Sequence, residues 1–539
     1  MKQTLRHILL WMCVVSISLI AFASASAGQK HGGTLRIVAP GDPPNWDPHL
    51  SASYKTGEPC SFAYSKLATA NWSPEWQWDG YWIPVKYLKG DMAESWEQVD
   101  PKTIVIQLRK GVKFHNKAPV NGREMVASDL KYSIERRKNS KYLGHFIDSR
   151  ISNVEVIDKY RVKITYMVPF SPALQRLLTN IGNYIIPKEA VEEFGDLSKP
   201  EHVIGTGPFM LEKYIPGSLM KFEKNPDFYL EDMPYVDRVE FLIIPDVQSR
   251  LAALRTGNLD IVFDVPPQIA DDFVKSNPQF KYKEGPRVPF VVYMRNDEKP
   301  FNDVRVRRAV TLAVDRKTLR DKFWGGHAEV NGYPLPKYIG EWKSSLQELG
   351  DAARYLEYDP EEAKRLLTEA GYPEGFETSL TTTAGYGKIF VEEMEAVKDM
   401  LSKVGIQVQL IVKDYVGYYT TTHKGKYHGM GAGLHGQDCF ITIWRYYTAR
   451  DPQRNKAHVN DPIFEDLLDK YLVTFNEEEQ KRIGKKMEQR IISQCYELPT
   501  PLPYGFTIWN PRVKNYNGER YDNLYGLGML ASKVWLERK

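Results

Sequence analysis

The chain has 539 residues, 42% of them apolar and 26% charged, a balance that excludes a disordered or collagen-like polymer; at roughly 150 residues per domain the length allows three or four domains. Lys and Arg number 72 and Asp and Glu 68, a net charge of +4, which gives no basis for a nucleic-acid scaffold or a polybasic membrane binder. Four Cys are too few for a disulfide scaffold, whereas 12 Trp and 32 Tyr supply flat apolar faces with one polar handle, suited to cores and to ligand clefts.

The chain opens on an address. Lys2 and Arg6 precede an apolar run from Ile8 to Phe22, closed by Ala23-Ser24-Ala25-Ser26-Ala27-Gly28. A basic start, an apolar stretch of this length and an Ala-x-Ala ending are the three parts of a secretory signal peptide, so residues 1–27 are expected to be cleaved off after Ala27. An uncleaved anchor would need about 20 apolar residues and would not close on small ones. Cys13 lies inside the apolar run and Gly28 has no thiol, so no lipid anchor is expected. An unanchored product is retained only behind a second barrier, which points to a periplasm. Cys60, Cys439 and Cys495 then remain; an oxidising compartment allows one pair and one spare thiol, with the pairing open.

Strand and helix signals alternate along the rest of the chain, which predicts a mixed α/β class. Leu35 to Ala39 reads as a first strand, stopped by Pro40-Gly41-Asp42-Pro43-Pro44. Thr103 to Leu108 puts Ile104, Ile106 and Leu108 on one face, a half-buried strand. A polar-rich helix is expected from Ser128 to Arg137. Val239 to Ile244 is nearly all apolar, as for a strand covered on both faces. Gln248 to Thr256 reads as a helix ended by Gly257, with a strand from Leu259 to Phe263. Val304 to Leu319 predicts one amphipathic helix. Asp359-Pro360-Glu361-Glu362 is a helix start, with Asp359 as cap, Pro360 at the first position and Glu362 completing a capping box; Gly371 stops it. A helix from Ile389 to Val404 and a strand from Ile406 to Leu410 follow.

Catalytic motifs are scarce. There is no Walker loop, Cys-x-x-Cys pair or His-Glu-x-x-His. Gly205-Thr206-Gly207 and Gly429-Met430-Gly431-Ala432-Gly433 both fail the dinucleotide pattern. Ser128-Asp129-Leu130-Lys131 and Lys55-Thr56-Gly57 match two marks of penicillin-recognising serine enzymes. They stand in reversed order and lack Ser-Asp-Asn, so a secreted serine hydrolase is the distant alternative. His423, His428 and His435 share no helical face and lack Cys or carboxylate support. They read as solvated loop histidines, and no metal or other cofactor is expected.

Several blocks resemble the family 5 extracellular solute-binding proteins of ABC importers, the group of oligopeptide, dipeptide, nickel and oligosaccharide receptors. They are Ala93-Glu94-Ser95-Trp96 with Leu108-Arg109-Lys110-Gly111-Val112-Lys113-Phe114-His115; Gly205-Thr206-Gly207-Pro208-Phe209 with Asn225-Pro226-Asp227-Phe228-Tyr229; Tyr293-Met294-Arg295-Asn296 with Phe301 to Val310; and Asp359 to Gly371. Read from the residues alone these blocks are corners and amphipathic helices, a scaffold without catalytic residues. The resemblance implies a two-lobed periplasmic-binding-protein clamshell, type II-like, with an additional subdomain. Lobe I would be residues 28–62 with 203–288 and 500–539, the extra subdomain 63–202, and lobe II 289–499. It further implies a monomer that encloses a solute, a peptide in the leading reading, and hands it to a membrane permease of an ABC importer, with no nucleic acid and no enzymatic step.

In peptide-binding relatives an Asp late in the second lobe pairs with the ligand's ammonium. The matching segment is Gly433-Leu434-His435-Gly436-Gln437-Asp438-Cys439-Phe440, which makes Asp438 the ammonium candidate, although the Trp and Pro of the family pattern are missing. A turn or cap role for Asp438 is the competing reading. Trp46, in a loop leaving the first strand, is a cleft candidate against a core-filling role. Trp444, Tyr446 and Tyr447 are candidates for side-chain pockets. Trp72, Trp76, Trp78 and Trp82 suit stacking on sugar rings, which motivates an oligosaccharide receptor as runner-up; packing within the extra subdomain is the commoner fate of such a cluster.

Overall fold

The computed structural model describes residues 30–39, 41–51, 53–71, 84–140, 148–180, 182–436, 440–519 and 527–537. Three sheets carry the architecture. The first has eight strands in the order Lys281–Pro286, Leu502–Trp509, Ile261–Val265, Thr34–Ala39, Arg238–Ile243, Leu219–Lys224 and Phe209–Ile215, with Ala328–Glu329 paired onto Leu502–Trp509. Thr34–Ala39 runs parallel to both of its neighbours. The second runs Ile406–Lys413, Phe376–Thr383, Met430–Leu434, Phe290–Met294, Glu497–Pro499. Ala93–Asp100, Thr103–Leu108, Arg161–Tyr166 and Ile151–Asp158 form a third, antiparallel sheet, inserted in sequence between two strands of the first.

The elements follow from their residues. In Thr103–Leu108 the buried positions are Ile104, Ile106 and Leu108, one face of the pleat. Phe290–Met294 is buried at every position, as a central strand covered on both faces must be. Arg238–Ile243 is not such a strand, contrary to expectation. Burial alternates along it, because Glu240 sits in register with Arg36 and pairs with it at 2.9 Å on the open face. The single helix expected from Val304 to Leu319 is two, Val304–Leu312 and Arg316–Trp324. The Asp315 carboxylate accepts the N–H groups of Lys317 and Thr318 and so begins a new helix at the break. Asp359 caps Pro360–Glu369 as expected, accepting from the Glu362 N–H. The Glu362 carboxylate turns instead to Arg365.

The chain passes between the first and second sheets twice. Lys281–Pro286 is followed directly by Phe290–Met294, and Glu497–Pro499 by Leu502–Trp509. The crossings lie side by side. The Arg287 N–H donates to the Pro503 carbonyl and the Thr500 hydroxyl to the Phe290 carbonyl, both at 2.8 Å. Two adjacent short crossings make a hinge between two bodies. Cys60 and Cys495 are free, buried thiols, and Cys439 lies outside the described residues. Among the described residues no helix is long and apolar enough to cross a membrane.

Candidate functional site

The glycine run at 429–433 has a packing cause. A Cβ at Gly433 would lie 2.0 Å from the Tyr418 hydroxyl and 3.0 Å from that of Tyr293, and one at Gly431 would lie 2.8 Å from Thr422 Cγ2. Tyrosine rings therefore pack directly on the backbone of Met430–Leu434. Its partner Phe290–Met294 sets Tyr293 opposite Gly431 on one side and Glu497 on the other.

Glu497 is the anchor of this wall. The residue is 2% exposed. The Tyr333 hydroxyl donates to Oε2, the Tyr447 hydroxyl reaches the same oxygen at 3.3 Å, and His435 Nε2 stands 3.2 Å from Oε1. The His435 ring stacks on Tyr446, with centroids 3.6 Å apart and planes 12° apart, and faces Tyr293 on its other side at 5.4 Å. Tyr446 in turn accepts from the Gly436 N–H at 2.7 Å and from Arg454 Nη1 at 3.0 Å. Burial, above all, pushes the Tyr293, Tyr333 and Tyr447 hydroxyls well above the usual tyrosine range. Burial likewise lowers His435, with Glu497 pulling the other way. A carboxylate taken out of water is tolerated here because two tyrosine hydroxyls donate to Oε2.

Across the hinge the first lobe offers Tyr54, the opening residue of helix Tyr54–Ala63. Its ring is 46% exposed, yet its hydroxyl is pushed up by burial and by Glu58, then by Tyr415 of the second lobe and by Asp264. Asp264 sits at a left-handed φ of 58° where the Ile261–Val265 strand loses register with its partner. Non-glycine residues hold such a conformation only when their surroundings impose it. On the second lobe Tyr386 meets Tyr415 and Tyr418 edge-on at 5.8 and 5.6 Å. Further out the inserted segment clasps the second lobe. The Ser171 N–H donates to the Leu472 carbonyl at 2.8 Å, Gln480 donates to the Ser171 hydroxyl at 2.8 Å, and Arg176 reaches the Thr442 hydroxyl at 3.3 Å.

Of the residues singled out from the sequence, Asp438 and the cluster Trp72, Trp76, Trp78 and Trp82 lie outside the described residues. Trp46 is buried in the first lobe, edge-on to Tyr214 at 5.3 Å, its backbone N–H donating to the Ser198 carbonyl. Trp444 is fully buried in helix Phe440–Arg445, edge-on to Tyr471 at 6.1 Å. Tyr447 is fully buried on Glu497. The histidines correct the sequence reading: only His428 is a solvated loop residue, 91% exposed in its side chain. His435 is buried within the wall, and burial with the neighbouring cations drives His423 down to about 2. Ser128 borders a shallow hollow of about 480 Å³ in which Arg123 pairs with Asp129 and Glu189. Glu497, Tyr333 and Lys456 were missed. The one signal was a Glu inside the otherwise apolar Tyr496-Glu497-Leu498-Pro499.

Two lobes joined by paired crossings, with a tyrosine-rich polar wall beside the hinge, define a clamshell binding protein. The chain belongs to the bacterial extracellular solute-binding proteins, family 5, whose family model matches residues 88–451. It is similar to a heme-binding protein A of Haemophilus influenzae, 27% identical over 83% of this chain and 86% of that protein. It is also similar to a dipeptide-binding protein of Escherichia coli, 26% identical over 95% of this chain and 96% of that one. Among solved structures it resembles the PBP AgaA from A. tumefaciens R10 in complex with agropinic acid, with a TM-score of 0.79 and 24% identity over 94% of this chain and 99% of that one.

Proposed function

We propose that the chain is a periplasmic receptor that captures a short peptide between its two lobes and presents it to the permease of an ABC importer. In this reading residues 1–27 are removed on export. The mature monomer closes about the crossings at 287–289 and 500–501, with 28–62, 203–288 and 500–539 as one lobe, 63–202 as its subdomain and 289–499 as the other lobe. It carries out no covalent step and takes no nucleic acid.

The observation that carries the reading is the end of the Met430–Leu434 strand. It delivers the chain through His435 and Gly436 into the wall, with the Gly436 N–H held by Tyr446. Asp438 follows two residues later, where the resemblance puts the partner of the ligand ammonium. Enclosure between lobes removes water, so a carboxylate there holds an ammonium far more tightly than at a surface. Main-chain groups supply the remaining contacts in an extended mode tolerant of side chains. Trp46, Trp444 and Tyr447 fix the walls by packing and hydrogen bonding from behind. The near full-length similarity to a dipeptide-binding protein supports the peptide class.

Native mass spectrometry of the protein purified from a bacterial periplasm without refolding tests this. The expected result is a set of bound short peptides, lost on Asp438→Ala, and a mature N-terminus at Gly28. A single non-peptide mass overturns the peptide reading.

A further inference from the structure

We propose that the inserted segment latches the clamshell. Ser171 and Arg176 dock on three helices of the second lobe, and this contact holds the closed form whether or not the cleft is filled. The lobe boundaries are those of the receptor reading above.

The latch joins a segment short of donors to a helix end rich in acceptors. In Pro169-Phe170-Ser171-Pro172 the two prolines have no N–H. The Phe170 N–H is used inside the insert, on the Pro101 carbonyl at 3.2 Å. The Ser171 N–H crosses to the second lobe and donates to the Leu472 carbonyl at 2.8 Å. Tyr471 and Leu472 lie in the last turn of helix Pro462–Val473, where the final four carbonyls have no partner within the helix. The Ser171 hydroxyl donates to the Tyr471 carbonyl at 3.0 Å and accepts from Gln480 Nε2 at 2.8 Å. The same Gln480 nitrogen reaches the Thr474 carbonyl at 3.1 Å. One residue of the insert therefore caps one helix and ties it to the start of the next, Glu477–Gln494. Further along the insert, Arg176 Nη1 donates to the Thr442 hydroxyl at 3.3 Å, with both residues buried.

Apolar surface backs these bonds. Phe170, Ala173 and Leu177 of the insert share one buried cluster with Trp444, Tyr471 and Leu472 of the second lobe. The other core of the second lobe, around Val306, Leu367 and Val397, includes no insert residue among those described. Parting the lobes would expose the shared cluster and leave the Tyr471 and Leu472 carbonyls to water. Net of water, each hydrogen bond favours the closed form about fivefold. None of the hydrogen-bonding groups belongs to the proposed solute contacts, so the latch is the same in the empty and the loaded protein. A contact common to both adds nothing to the solute's differential affinity, and it slows entry and release together.

The test is hydrogen–deuterium exchange, read residue by residue, on the mature chain emptied of solute by unfolding in guanidinium and refolding. The Ser171 amide of the parent should exchange at least a hundredfold more slowly than an exposed amide. It should still exchange faster than Ile106, whose strand is paired on both sides. Ser171→Ala with Thr442→Val removes three of the bonds between lobes without adding bulk. It should speed exchange at residue 171 at least tenfold and leave Ile106 unchanged. If that variant does not fold, Gln480→Met carries the comparison, with an expected gain of at least threefold. An unprotected Ser171 amide in the parent, or exchange there that the substitutions do not alter, overturns the latch. Small-angle X-ray scattering separates this from the receptor reading. An empty parent that is extended, and becomes compact with the solutes released from periplasmic protein, keeps the clamshell and overturns the latch. A scattering profile that those solutes do not change, with residue 171 exchanging only as fast as Ile106, overturns both.

Discussion

Of the glutamates buried in the second lobe, Glu393 and Glu497 live under opposite rules. Glu497 stands on the edge strand of its sheet among tyrosine hydroxyls and an imidazole; the Tyr333 and Tyr447 hydroxyls donate to Oε2, and His435 lies 3.2 Å from Oε1. Glu393 stands on helix Lys388–Ser402, fully buried, in a core of Phe390, Met394 and Val397; neither of its oxygens makes a well-formed hydrogen bond, and the Trp324 indole is the one polar group that offsets its burial. Burial pushes Glu393 up to about 8, so it is a neutral acid at pH 7. The difference separates two ways of hiding a carboxyl group. One keeps a polar group by building a network that fixes six side chains in place. The other gives up the charge and leaves a polar defect in an apolar core.

Substitutions at the two sites should therefore differ in sign. Glu497→Leu leaves the Tyr333 and Tyr447 hydroxyls and His435 without their common partner. It is expected to cost about 3 kcal/mol in urea unfolding at pH 7 and to weaken ligand capture. Glu393→Met fills the same volume without the defect and should gain about 1 kcal/mol. The pH profile sharpens the contrast. The folded state holds a proton on Glu393 up to about 8, whereas the unfolded chain releases it near 4.5. The folded state thus binds more protons between those values, and stability falls as pH rises from 4.5 to 8, by up to about 1.4 kcal/mol per unit. Glu488, raised by burial to about 7, and Asp91, raised by burial to about 6, add to the same fall, so the slope should be smaller in Glu393→Met, most clearly between pH 7 and 8, and unchanged in Glu497→Leu. A slope unchanged in Glu393→Met would show that Glu393 is ionised and partnered, and the contrast would collapse.

The same contrast explains what could be read ahead of the structure. Thr103–Leu108, the Asp359 cap and the helix Lys388–Ser402 are local, and their periodicity and end residues carry the information. The strand at Val239 misled because an apolar run says nothing of an Arg36–Glu240 pair formed across 204 residues. The wall was less legible still. Tyr333 and Glu497 are 164 residues apart, and Lys456 and Tyr293 are 163 apart. No spacing rule links four segments that only the sheet order brings together. The glycines at 431 and 433 were visible, but their cause, two tyrosine rings against the strand, is tertiary.

Those glycines test how rigid the Glu497 network is. Gly433→Ala drives a methyl into the Tyr418 hydroxyl and should cost about 2 kcal/mol. Adding Tyr418→Phe removes the contacting oxygen and should recover at least half of that loss in the double variant. Recovery is the sign that steric crowding, and not strand propensity, sets the glycine; no recovery would assign the cost to the backbone.

The smallest effect is expected at the edge of the network. Tyr446→Phe keeps the ring stacked on His435 but deletes the oxygen that accepts from the Gly436 N–H and from Arg454. One neutral and one charge-assisted hydrogen bond are lost at a partly buried site, where water can replace some of the loss, so global stability should fall by about 1 kcal/mol. Ligand affinity should fall more than stability does if Asp438, two residues after Gly436, holds the ligand ammonium as proposed. Equal losses in the two measurements would make Tyr446 a packing residue. A larger loss in affinity would place it among the groups that position the binding loop, and would extend the rule seen at Glu497 from stability to capture.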